Sequence, residues 1–135
     1  MLRAVEPGPA VVVCSTCRLS SELREDAEGR RGGALLAQAM RDAQQAEPRL
    51  QRVQVQEMAC LFACQSHCTV HVRAPGKVGY VLGRFEPGAE AARAILEYAA
   101  LHADSAEGTV PYAQWPQGVR GHFITRTPPD GFVCT

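Results

Sequence analysis

The chain has 135 residues and carries 14 lysines and arginines against 14 aspartates and glutamates, giving a formal net charge of zero. That balance argues against bulk attraction to nucleic acid or to an anionic membrane surface. One domain over 1–135 is expected, with 46% hydrophobic residues and enough length to bury about 65–70% of its extended-chain surface. It needs no disulfide staples to fold, so its six cysteines call for another explanation.

Met1 to Pro9 lack the basic and apolar regions of a signal peptide, and no apolar run approaches the ~18 residues of a membrane span. A cytoplasmic protein is expected, and in that reducing compartment clustered thiols are more often metal ligands or catalytic groups than disulfides. Ala10-Val-Val-Val-Cys14 is a β-branched run that predicts a buried central strand, with Cys14 and Cys17 where it ends. Arg18 to Gly33 is polar, mixed in charge and closed by Gly32-Gly33, which predicts an exposed connection. Leu36, Ala39, Met40 and Ala43 recur at helical spacing, predicting a helix over 34–46 that Pro48 ends.

Arg52 to Glu57 alternates, placing Val53 and Val55 on one face of a second strand that runs into Cys60. Val70 and Val72, then Val78, Tyr80 and Leu82, alternate around Ala74-Pro75-Gly76-Lys77, whose Pro and Gly suit a type II turn, so a hairpin is predicted. Pro87 and Gly88 open a second helix to about Ala103, with Ala92, Ile95, Leu96, Ala99 and Ala103 in one stripe. The core is expected over about 10–105. From Thr109 no regular pattern is evident, and an irregular tail is expected. Its apolar residues, Trp115, Phe123 and Ile124 among them, are expected to pack over the core or against a partner subunit, and a homodimer stays open.

The predicted order is β-α-β-β-β-α. A crossover gives two parallel strands and the hairpin adds two antiparallel ones, so the expected fold is α/β and thioredoxin-like: a four-stranded mixed sheet flanked by two helices. Parallel strands end at the same sheet edge, where open α/β folds place their sites. Cys14 and Cys17 therefore converge on Cys60, Cys64 and Cys68.

The segment Cys60-Leu-Phe-Ala-Cys64-Gln-Ser-His-Cys68-Thr-Val-His-Val resembles the second ligand motif of thioredoxin-like [2Fe-2S] ferredoxins and of the related small subunit of respiratory complex I. Cys14, at the end of strand one, matches the first ligand position of those proteins. Over roughly residues 10–127, with Cys-Ser-Thr-Cys-Arg near one end and Arg-Ala-Pro-Gly-Lys in the hairpin, the chain more closely resembles a bacterial family described as predicted metal-binding, thioredoxin-like proteins. The resemblance implies a [2Fe-2S] cluster on Cys14, Cys17, Cys60 and Cys64, with Cys68 as the alternative to Cys17 or a fifth thiol. It also implies an electron carrier or redox accessory that is not an enzyme, in the company of cobalt and cobalamin metabolism. Two departures stand out: Cys14-x-x-Cys17 is tighter than the ferredoxin pair, and Cys68 replaces a usual proline.

Two cysteines on each of two irons is the ligation such a cluster takes. Four thiolates also suit zinc or cobalt, and Cys-x-x-Cys after strand one is where a thioredoxin-like dithiol oxidoreductase carries its active site. Backbone N–H groups of Ser15-Thr16 and Gln65-Ser66 are candidate donors to the sulfurs, and Met58, Leu61 and Phe62 are candidates to limit water access. His67 lies between ligand candidates, while His71 alternates opposite Val70 and Val72. Arg49, Arg52, Arg73, Lys77 and Arg84 predict a positive cluster-bearing half. A redox or metal-handling protein with an acidic face would suit it as a partner.

Overall fold

The computed structural model describes residues 2–135. Strand β1 (Ala10–Cys14) is buried along its whole length, as a β-branched run bounded by Pro9 and a turn should be. It pairs parallel with β2 (Gln54–Met58) and antiparallel with β3 (Val70–Arg73). The next strand, β4 (Gly79–Leu82), lies antiparallel beside β3. In the turn between them Gly76 takes φ 71°, and the Lys77 N–H donates to the Ala74 carbonyl at 3.2 Å. That is the left-handed third position of a type II turn, which glycine fills without steric cost.

Helices α1 (Gly32–Ala46) and α2 (Ala89–Asp104) pack on each other. Leu36 and Met40 of α1 and Ile95, Leu96 and Tyr98 of α2 join Val11, Val13, Val70, Val72 and Leu82 of the sheet in one fully enclosed cluster. Each of these larger side chains contributes about 1.5–3 kcal/mol by leaving water. The fold is thioredoxin-like, and among the described residues no helix is long and apolar enough to cross a membrane.

The tail departs from expectation. Phe123–Thr127 forms a fifth strand, β5, antiparallel to β4, and the sheet order is β2-β1-β3-β4-β5. Only Phe123 of this edge strand reaches the core, where it stacks on Trp115 at 4.3 Å and meets Tyr98 at 5.2 Å. Its other four residues are exposed, so the strand carries no alternating apolar signal.

Two boundaries also move. A 3-10 turn over Pro48–Arg52 buries Leu50, so β2 starts at Gln54 rather than Arg52. Helix α1 begins at Gly32, and the glycine pair expected in an exposed connection is buried. A Cβ on Gly33 would overlap the Cys14 carbonyl, and one on Gly32 would overlap that of Arg18. The pair lets the helix start press against the Cys14–Arg18 backbone, and the Gly33 N–H donates to the Cys17 carbonyl at 3.3 Å. Hydropathy cannot report this, because glycine signals both loops and close backbone approach.

Three histidines make stability pH-dependent. Burial is the first cause that lowers the pKa of His67, His71 and His102. His102 is fully enclosed and its Nε2 lies 2.6 Å from the Val78 carbonyl. A lowered folded pKa means the unfolded chain binds the proton more tightly. The stabilisation is therefore complete above the unfolded value, about 6.5, and is lost as pH falls through the folded values. The melting temperature is expected to drop between about pH 7.5 and about pH 5.5, above the range where carboxylates titrate. His102→Asn should flatten that slope in thermal melts followed by circular dichroism.

Candidate metal centre

The two cysteine groups meet because β1 and β2 are parallel and end together. Cys14 stands opposite Met58 in the register. Beyond it, the Ser15 N–H and hydroxyl both donate to the Met58 carbonyl, at 2.9 and 3.1 Å, and the Thr16 hydroxyl donates to the Ala59 carbonyl. These bonds stitch the Cys14–Cys17 turn to the start of the Cys60–Cys68 loop. A cavity of about 240 Å³ lies between them, lined by Cys14, Cys17, Cys60 and Cys64, with Arg18, Arg24 and Arg31 also on its wall.

The four thiols form two pairs. Cys60 Sγ and Cys64 Sγ are 4.0 Å apart. Two sulfurs on one tetrahedral ion with bonds of about 2.3 Å stand about 3.8 Å apart, so this pair is already spaced for one metal. Cys14 and Cys17 bracket one tight turn, in which the Cys17 N–H donates to the Cys14 carbonyl at 3.2 Å. Among the described residues no three His, Cys, Asp or Glu side chains gather around a single ion position. The arrangement is two dithiol pairs facing one cavity, not four thiols closed on one point.

Electrostatics set Cys14 and Cys17 apart. The neighbouring Cys17 thiol and the backbone N–H groups nearby bring the Cys14 thiol down to about 5 despite its burial. Cys17, beside the more acidic Cys14 and itself buried, moves up. It also lies 3.1 Å from the Thr69 hydroxyl and accepts from the Thr69 N–H at 3.5 Å. Cys64 moves up through its hydrogen bond and repulsion with Cys60. A thiol already inclined to ionise surrenders its proton to a metal at neutral pH at little cost.

Cys68 stands apart. It is completely buried in the core cluster, does not line the cavity, and its thiol points to the Arg18 carbonyl at 3.5 Å. Burial pushes it up to about 12. It precedes β3 and takes φ 50°, a left-handed value uncommon outside glycine.

Other expected roles are redistributed. The backbone donors found on the sulfurs are the Phe62 N–H, at 3.2 Å from Cys60, and the Thr69 N–H, at 3.5 Å from Cys17, whereas Ser66 N–H is spent on the Ala63 carbonyl. Phe62 is 93% exposed and Met58 45%, so neither seals the site. Their loop bends outward at Phe62, where φ is 57°. His67 does not line the cavity. The cations expected to make the site positive are largely occupied elsewhere: Arg49 pairs with Glu47 and Glu97, and Arg52 with Asp104. The charge at the site comes from Arg18, Arg24 and Arg31, in the stretch read as a solvated connection. Nothing in their spacing announced it, because the loop reaches the site only through the docking of Gly32 and Gly33.

Fold and site together define a thioredoxin-like α/β protein with paired cysteines at the C-terminal ends of its two parallel strands. The chain belongs to the family described as "Protein of unknown function (DUF1636)", whose model matches residues 11–129. Its structure is similar to that of a thioredoxin-like [2Fe-2S] ferredoxin from Aquifex aeolicus, with a TM-score of 0.53 and 19% identity over 95% of this chain and 100% of that one. At that identity the likeness concerns the fold. No curated protein matches the sequence.

Proposed function

We propose that this chain holds a [2Fe-2S] cluster on Cys14, Cys17, Cys60 and Cys64 and works as an electron carrier or redox accessory rather than as an enzyme. The observation that carries the reading is the pairing of thiols across one cavity. A binuclear centre needs two cysteines per iron, whereas a structural zinc needs four donors on one ion. The likeness in fold to a ferredoxin supports the same choice, and the cobalt and cobalamin association rests on the sequence resemblance alone. When bound, such a cluster supplies reversible one-electron transfer. The chain's own contribution is to donate Phe62 and Thr69 N–H groups to sulfur and to set arginines beside the thiolates, both of which tune a potential.

Anaerobically purified protein is expected to be red-brown, with about two irons and two sulfides per chain, and to give an electron paramagnetic resonance signal after one-electron reduction. Colourless protein with stoichiometric zinc and no sulfide would overturn the proposal.

A second reading has one observation in its favour. The opposed shifts of Cys14 and Cys17 are the asymmetry that a Cys-x-x-Cys redox couple uses. Against it, Cys14 is 3% exposed, which obstructs attack on a disulfide substrate, and Cys60 and Cys64 are left without a task. Iron-free protein that cycles a Cys14–Cys17 disulfide and reduces insulin would select this reading.

A further inference from the structure

We propose that the rim of the cysteine cavity is the docking face for a redox protein whose own surface is acidic around an apolar centre. The proposal rests on the reading of the cavity as a redox centre and names the partner it serves. Three guanidiniums, Arg18, Arg24 and Arg31, line the cavity with no carboxylate among them. None of the three is in an ion pair among the described residues, whereas Arg41, Arg49, Arg52 and Arg93 all close on carboxylates. Of the four acids in their own loop, Asp26 and Glu28 close on Arg30, and Glu22 and Glu25 do not line the cavity. The charged side chains at the mouth, the thiols aside, are therefore all positive on a chain whose formal net charge is zero, and charge placed in this way selects and steers acidic partners.

The second observation is Phe62. Its neighbours Cys60, Ala63 and Cys64 form one wall of the cavity, and its ring stands in water at 93% exposure. A bulky residue with φ 57° holds a conformation that costs about 1–3 kcal/mol, and its N–H is fixed to Cys60 Sγ at 3.2 Å. The sulfur contact explains the backbone and leaves the exposed ring unexplained. An exposed aromatic ring on a rim that also carries cations is what a charged interface uses as an anchor. The cavity interior belongs to the four thiols, so the arginines and the ring are left to meet a molecule from outside. Cys64 is exposed while Cys14 and Cys17 are buried, which makes this rim the shortest way in for electrons.

The probe is a fluorescent peptide of alternating glutamate and leucine, with a lysine and leucine peptide as its control, titrated into the full chain and mapped by NMR. The acidic peptide is expected to bind and to shift amides of 18–31 and 60–64. Its affinity should fall as salt rises from about 50 mM to about 500 mM, which shortens the screening length about threefold. Arg24→Glu, at a side chain that makes no hydrogen bond among the described residues, should weaken binding by about fivefold to tenfold, and Phe62→Ala by about fivefold with less dependence on salt. Equal binding of the basic peptide, shifts confined to β5 or α2, or unchanged affinity in both variants would overturn the docking face. The readout does not depend on the metal. Colourless zinc protein that still binds the acidic peptide removes the cluster and keeps the face, and red-brown protein that ignores the peptide does the reverse.

Discussion

Gly33→Ala is expected to destabilise the protein by about 3 kcal/mol or more and to lose its metal with it. Overpacking a core usually costs about 1–3 kcal/mol because side chains can shift. Here the added methyl would meet the Cys14 carbonyl and carbon and the Ser15 carbonyl carbon, all backbone. Relief requires either α1 to retreat from the sheet or the Cys14–Cys17 turn to move. The first opens the contact of Leu36 and Met40 with the core, and the second separates Cys14 from Cys60 and Cys64. Gly88→Ala is the control, since nothing lies within 4 Å of its Cβ and its φ of −157° suits any residue. As the residue preceding α2 it should cost less than about 1 kcal/mol. Chemical denaturation of both variants, with iron content measured alongside, checks the contrast. Near-equal stabilities would show that the helix start is not pressed on the cysteine turn.

The contrast also marks how far the sequence could be read. The unbroken β-branched run of Val11 to Val13 announced a strand buried on both faces, and the alternation of Val70 and Val72 and the stripe through Ile95 and Leu96 announced theirs because burial on one face writes a period into a chain. The convergence of the two cysteine groups followed from topology alone, since parallel neighbours end at one edge. Strand β5 was silent for a physical reason: one inward residue, Phe123, makes no period. The arginines of the loop were silent for another, because their approach depends on two missing Cβ atoms at Gly32 and Gly33. The outward turn at Phe62 was hidden as well, since an apolar residue beside candidate ligands reads as cover and only the backbone angle reveals a ring held in solvent.

Cys17→Ser is expected to lose iron or shift the visible spectrum, while Cys68→Ser keeps a normal cluster. A hydroxyl in place of Cys17 offers a harder ligand that ionises less readily beside Cys14, on the wall of the cavity. Cys68 has no such position. It sits in the core with its thiol toward the Arg18 carbonyl, so a serine there would keep an acceptor and would cost about 1 kcal/mol of stability for a hydroxyl in apolar surroundings. Cys68→Ala would instead forfeit packing, again without touching the metal. Cys134→Ser should change neither property, because Cys134 lines a different cavity with Phe132 and Arg126. Iron per chain, the reduced-state resonance signal and the unfolding midpoint, measured on all four variants, separate ligand loss from core damage. If Cys68→Ser strips the iron and Cys17→Ser does not, the centre uses Cys14 with Cys60, Cys64 and Cys68. The Cys60–Cys68 loop would then have to turn over on binding metal, carrying a completely buried thiol out of the core, and the strain held at φ 50° of Cys68 would belong to that movement rather than to packing.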